Sequence, residues 1–184
     1  MGRRGKRKDL IVSFLDFVIT LNLLSIPLYL IMYFNLELQI LKELEAFIVS
    51  EILKVFGLNT KLYENFVVID DKVYEISWDS TGWKSFYTFF ALVISTPIFY
   101  KRKVNPLLIG LLSIFLFNIL RITITIYLSH KNLAPFYFLH LSLWRWGSIG
   151  FLLFIWLIFL YTQRNNIGEA KNIMGIVWKR KILN

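Results

Sequence analysis

Four long apolar runs, at 10–34, 82–100, 104–129 and 138–161, organise the chain, each bounded by charged or polar residues. Each approaches or exceeds the ~18 residues expected of a membrane-spanning helix. Between the first two, the pattern changes twice. Over 37–56, the apolar residues Ile40, Leu44, Phe47, Ile48, Ile52 and Val55 recur at helical spacing, with Gln39, Lys42, Glu43, Ser50 and Lys54 on another side. That is an amphipathic helix stopped by Gly57, lying on the membrane surface or against the bundle. Residues 65–78, "NFVVIDDKVYEISW", then read at period two, with Asp70-Asp71 between β-prone runs. They predict a small β-hairpin, which must pack on something to persist.

The expected architecture is a single all-α membrane bundle over 1–184: four spans, an amphipathic interfacial helix and a small outer hairpin. Composition agrees, with 57% hydrophobic residues and a mean hydropathy of +0.58. The net charge of +9 concerns orientation rather than nucleic acid. Basic blocks at 2–8, at 101–103 and from 163 onward put both termini and the 101–103 loop in the cytoplasm by the positive-inside rule. The acids fall mostly in the segments this leaves outside. The first run exceeds a signal-peptide core of ~7–15 residues and is expected to remain as an anchor. With no cysteine, disulfides, thiols and cysteine-bound metals are excluded. Two histidines and scattered carboxylates show no ligand spacing, so neither metal nor cofactor is expected.

The same topology gathers candidate chemistry at one level. "WDSTGWKS", residues 78–85, puts Ser80, Thr81 and Gly82 at the outer mouth of the second span, with Lys84 and Ser85 just inside. Arg121 lies eight residues below the outer end of the third span, ~12 Å down, with Asn118 one turn away on the same face. His140 and Arg145 enter near the outer end of the fourth. Intramembrane charges are costly and point to function. Some have plainer readings: Lys84 can snorkel to the interface, Arg145 sits among belt tryptophans, His130 reads as a solvated loop residue and Asp16 as structural. The residues alone describe an outward-facing cationic pocket that could hold an anion or polarise a carbonyl.

In order and spacing, "STGWKS" (80–85), "NILRIT" (118–123) and "FLHLSLWRWG" (138–147) resemble the exosortase/archaeosortase family of membrane transpeptidases, with a lean to the archaeal side. The resemblance covers roughly 78–150. It implies a cysteine nucleophile before Ser/Thr-Gly, partnered by an arginine and a histidine, here Arg121 and His140. Thr81, Gly82, Lys84, Ser85, Asn118 and Arg145 are then expected to contact substrate. Substrates in such a family are secreted proteins ending in a short motif, a hydrophobic helix and a basic tail. A lipid or other surface anchor is the acceptor.

This chain carries Ser80 at the cysteine position. A thiol with a pKa of ~8.5 ionises beside a cation, whereas an alcohol needs a positioned base, and arginine is a poor one. The expectation is therefore an inactivating Cys→Ser replacement, engineered or natural. The alternatives are a non-enzymatic membrane receptor or assembly factor for hydrophobic C-terminal helices or anionic lipids, and a serine intramembrane protease using Ser80 and His140. Single cysteines placed in 57–79 or 130–137 should react with an impermeant thiol reagent from outside intact cells. Cysteines at 101–103 should be protected, and labelling there would overturn the topology.

Overall fold

The computed structural model of the chain describes residues 3–97, 102–133, 135, 138 and 146–163. Helix α1 (Arg3–Tyr33) leads to α2 (Gln39–Val55), three short strands, β1 (Thr60–Tyr63), β2 (Phe66–Ile69) and β3 (Lys72–Glu75), and a 3₁₀ turn at Trp78–Thr81. Helices α3 (Trp83–Ser95) and α4 (Val104–His130) follow, and then α5 (Ser148–Gln163). Among the described residues two helical stretches are long and apolar enough to cross a membrane, Ile11–Tyr33 and Val104–His130. Helix α3 has 13 residues, below the ~20 a span needs. It ends where Thr96 turns extended before Pro97, which disfavours helix in the residue preceding it. The expected second span at 82–100 is thus a helix only over Trp83–Ser95, with 98–100 outside the described residues. Of the expected fourth span, α5 gives the later part, and 139–145 lie outside.

Two cores stack along α4. The first joins α3, α4 and α5 through Phe89, Val93, Ile114, Leu152 and Phe159. Helix α1 leans on this bundle. The Tyr87 hydroxyl donates to the Leu24 carbonyl at 2.7 Å, and Phe17 stacks with Trp156 at 6.1 Å. The second core is a cap of α2 and the sheet, closed over the C-terminal half of α4. Ala46, Val49 and Leu53 of α2 meet Val67, Ile69, Tyr74 and Ile76 and, from α4, Ile119, Ile122 and Ile126. Several of these are fully buried, and each such aliphatic side chain is worth about 1.5–3 kcal/mol.

The expected hairpin is present. Ile69 pairs with Lys72 across Asp70-Asp71, and Asp70 adopts the left-handed conformation (φ 50°) that such a turn requires. The structure adds β1, paired antiparallel to β2 in a sheet of order β1-β2-β3. Its sequence, "TKLY", gives too few residues for an alternation to stand out. Thr60 fixes it, hydrogen-bonding Ser50 of α2 at 2.7 Å.

Helix α2 lies against the bundle with a different face inward than the periodicity suggests. Ile40, Leu44, Phe47 and Val55 are exposed, while Glu45, Ala46, Val49, Ser50 and Leu53 are buried. Both sides of α2 carry apolar residues, so apolarity alone does not choose between them. The small and polar side chains fit under the sheet and against α4. His130 also departs from the solvated-loop reading. Its Nε2 sits 3.4 Å from Asp70 Oδ2, and its carbonyl accepts from Lys72 Nζ at 3.5 Å, tying the end of α4 to the hairpin.

Gly110 of α4 makes room for Phe89 of α3, since a β-carbon there would overlap the Phe89 ring. Gly110→Ala should therefore destabilise the bundle by about 1–3 kcal/mol, the usual cost of overpacking. The thermal midpoint in detergent should fall, and adding Phe89→Leu should recover part of the loss. An unchanged midpoint for Gly110→Ala would contradict this packing.

Candidate active site

The 3₁₀ turn is built from local hydrogen bonds that these residue types favour. Ser77 enters it extended, and the Ser80 N–H donates to the Ser77 carbonyl at 2.9 Å. The Thr81 hydroxyl donates to the Trp78 carbonyl at 2.8 Å. Gly82, at φ 70°, reverses the chain into α3, and its carbonyl accepts from the N–H groups of Ser85 and Phe86. Trp78 and Trp83 stack across the turn with centroids 5.2 Å apart. Gly82 is required on two counts. Its left-handed backbone strains other residues, and an added β-carbon would lie 2.9 Å from Asn118 Oδ1. The neighbour that needs glycine here is thus Asn118 of the same chain. Thr81, expected to meet substrate, is fully buried, and its hydroxyl is occupied within the turn.

Helix α4 grips this turn. Arg121 Nη2 donates to the Ser80 carbonyl at 2.6 Å, and Asn118 Nδ2 donates to the same oxygen at 3.0 Å. Both side chains are buried, and their i, i+3 spacing puts them on one face. Asn118 Nδ2 also donates to Glu45 Oε2 at 3.0 Å. Glu45, from α2, is fully buried. Burial pushes its carboxyl up from 4.5 to about 8, against the opposing pull of the Asn118 hydrogen bond and the Arg121 charge. Glu45 Oε1 and Arg121 Nη1 are buried without a hydrogen-bond partner among the described residues.

The Ser80 side chain itself engages only Ser77, Oγ to Oγ at 2.9 Å. Beside it is a cavity of about 30 Å³ lined by Ser80, Arg121, Tyr74, Ile76, Ile122 and Thr125, among others. That is room for one water-sized group. A second space, a groove of about 550 Å³ that shares Arg121 with the cavity, runs between α3 and α5, from Gly82, Lys84 and Ser85 past Thr88 to Leu92, Leu152 and Leu153. Lys84 is less free than a cationic mouth requires. It pairs with Asp79 at 2.8 Å, both partners partly exposed, an arrangement worth at most ~1 kcal/mol.

Ser80, Gly82, Asn118 and Arg121 thus meet at one point, and Lys84 and Ser85 flank it. His140 and Arg145 lie outside the described residues. Two members of the site, Ser77 and Glu45, are absent from the sequence-derived set. A serine three residues before Ser80 carries almost no signal. Glu45 carries one, as the lone acid on the side of α2 that also bears Ala46, Val49 and Leu53. Among the described residues no cluster of three or more histidines and carboxylates could hold a metal. The cavity beside position 80 has room for one small group, with the Arg121 guanidinium among its lining.

Glu45 also makes stability depend on pH. Its carboxyl titrates near 4.5 when unfolded and near 8 when folded. Below about 4.5 both states hold the proton, and this stability is fully present. As pH rises toward 8 the unfolded state releases its proton first, and stability falls by about 1.4 kcal/mol per unit until it levels off. The thermal midpoint in detergent should therefore decline between pH 5 and pH 8. Glu45→Gln should remove most of that slope, and an equal slope in the variant would refute the assignment.

No curated protein and no solved structure matches the chain. The sequence pattern of the transmembrane exosortase family (Exosortase_EpsH) matches residues 10–162, a segment holding both cores and every residue of the site just described. A membrane protein with mostly helical architecture, Ser80 before Thr-Gly, and Asn118 with Arg121 gripping that turn belongs, by this match, to the transmembrane exosortase family.

Proposed function

We propose that the chain has the scaffold of a membrane transpeptidase. It recognises the C-terminal sorting signal of secreted surface proteins, cleaves it, and passes the protein to a lipid or other surface anchor. The site faces outward, and both termini are cytoplasmic. The observation that carries the reading is the grip on the Ser80 carbonyl by Asn118 and Arg121, residues 38 and 41 positions away in the chain. A fold does not bury an arginine in a helix apolar enough to cross a membrane to stabilise an ordinary turn, because the desolvation cost is several kcal/mol. The groove between α3 and α5 supports the same reading. It is apolar at Leu92, Leu152 and Leu153 and polar near position 80, as the junction of a hydrophobic helix with a scissile motif requires.

With cysteine at position 80, the chemistry runs in two steps. The thiolate attacks the scissile carbonyl carbon, and the carbonyl oxygen takes the negative charge beside Arg121. Collapse breaks the C–N bond, a proton goes to the leaving amine from a general acid, for which His140 is the candidate, and a thioester remains. The acceptor nucleophile then displaces the thiolate. With Ser80 the first step lacks an ionised nucleophile, because a neighbouring cation worth a few pKa units ionises a thiol at neutral pH but not an alcohol. The serine protein should bind sorting signals and turn them over negligibly.

The test is processing of a sorting-signal substrate by the Ser80 protein and its Ser80→Cys variant, in membranes of a host lacking its own enzyme. Ser80→Cys should create processing, and Arg121→Ala or His140→Ala should abolish it again. Equal rates for serine and cysteine would replace the thiolate mechanism with a serine–histidine one. Binding without processing in either form would favour a receptor for hydrophobic C-terminal helices.

A further inference from the structure

One acidic side chain that the three sequence motifs do not supply bonds directly to Asn118 at the site. We infer that Glu45 is a positioning residue: through Asn118 it holds the Ser80 carbonyl in place and so fixes how position 80 faces the cavity beside Arg121. The inference rests on the transpeptidase reading for its effect on turnover, while its geometric core can be tested without turnover.

Asn118 is the link between the two. Its amide nitrogen has two hydrogens, and both are used: one goes to the Ser80 carbonyl and one to Glu45 Oε2, each at 3.0 Å. Its Oδ1 lies against the space where a Gly82 β-carbon would stand. The amide plane is therefore held between the turn on one side and α2 on the other. Without Glu45 one N–H would be buried without a partner, which costs the full desolvation of that group, and the amide could rotate away from the Ser80 oxygen. Only Arg121 would then hold the Ser80 carbonyl, and the groups around that arginine are already sparse, with Nη1 buried and unpartnered among the described residues.

The rest of the fold is arranged to deliver this one carboxyl. Glu45 is on the inward face of α2 with Ala46, Val49, Ser50 and Leu53. That face is locked by Ser50 to Thr60 of the sheet and by the apolar cap core. A side chain whose only task was solubility would point to the exposed side of the helix, where Glu43 and Glu51 make hydrogen bonds with Gln39 and Lys54. The charged group acting on Glu45 is Arg121 from α4. The turn is linked to it through Asn118, and the nearby ionisable groups, Asp79 of the turn and Lys84 of α3, are paired with each other at the surface. From the sheet, Thr60 of β1, Val67 and Ile69 of β2 and Tyr74 of β3 are buried on the α2 side. Tyr74 is the ionisable one; its phenol is neutral near pH 7 in any case, and burial raises its pKa further.

The experiment uses the full-length chain with Ser80→Cys, whose introduced thiol is the single one because the sequence has no cysteine. The rate at which iodoacetamide alkylates that thiol at pH 7 reports how firmly position 80 is held. E45Q keeps a carbonyl for Asn118 and should alkylate within about twofold of the parent. E45A should alkylate about tenfold faster, the ratio expected for loss of one buried hydrogen bond. N118A removes both of the Asn118 bonds and should alkylate at least as fast, and E45A/N118A should be no faster than N118A alone, since Glu45 reaches the turn only through Asn118. E45D keeps the carboxyl but shortens the reach, and should fall between E45Q and E45A. It also serves if E45A does not elute as a monodisperse species. In sorting-signal processing, E45Q should retain the parent kcat and E45A should lose about tenfold in kcat with KM little changed, the same single bond being lost. An E45A rate equal to the parent's, or an E45Q rate as fast as E45A, overturns the positioning role. So do multiplying effects in the double variant. If the alkylation pattern holds while no variant processes substrate, the positioning role stands and the transpeptidase reading fails.

Discussion

The carbonyl oxygen of Ser80 is the point on which the structure turns. It accepts two hydrogen bonds from the side chains of Arg121 and Asn118, both buried in α4, the longer of the two span-length apolar stretches among the described residues. A guanidinium out of water is costly unless its donors are met, so this oxygen stabilises the arginine as much as the arginine stabilises the turn. The consequences spread outward from there. Residue 82 must be glycine because Asn118 needs the space. The 3₁₀ turn presents the Ser80 carbonyl to α4. Asn118 needs a second acceptor, and α2 brings it one.

That second acceptor explains why a membrane protein of this size carries a cap. Helix α2 and the three-stranded sheet have no independent core; a three-stranded sheet becomes stable by packing its apolar face. They obtain one by closing over Ile119, Ile122 and Ile126 of α4, the same turns of helix that carry Asn118 and Arg121. Covering those turns removes water from the polar network, and a less screened medium strengthens each of its bonds. The cap is therefore structural and electrostatic at once. Its aliphatic residues supply the burial, and its one buried acid supplies the acceptor that Asn118 needs.

Much of this was legible in the sequence, because much of it follows from one-dimensional periodicity. Hydropathy located α1 and α4, the Asp70-Asp71 turn located the β2–β3 hairpin, and i, i+3 spacing put Asn118 and Arg121 on one face. What was missed depends on contacts across the fold. The inward side of α2 is chosen by Thr60 and Asn118, neither of which belongs to that helix, so a helix apolar on both sides looked as though its larger residues faced the core. Strand β1 is four residues long and is held by Ser50 and by pairing to β2, not by its own composition. Glu45 looked like one more outer acid among many. Its distinction is burial, and burial is a property of the assembled layers. Helix α3 was read as longer than it is, because the apolar residues after Ser95 extend the hydropathy past the point where Pro97 stops the helix.

The same geometry explains how position 80 can carry serine without the site collapsing. The bonds that fix the turn are made by main-chain atoms of residue 80: its N–H to Ser77 and its carbonyl to Asn118 and Arg121. The Thr81 hydroxyl adds a bond to another main-chain carbonyl, that of Trp78. None of these involves the side chain at 80, which meets only the Ser77 hydroxyl. Exchanging a thiol for a hydroxyl alters the size and acidity of one atom and leaves the anchoring of the backbone as it was. Architecture and reactivity are separable here. On the transpeptidase reading proposed above, the fold fixes where the nucleophile would stand, and the identity of that single side-chain atom decides whether it is ionised there.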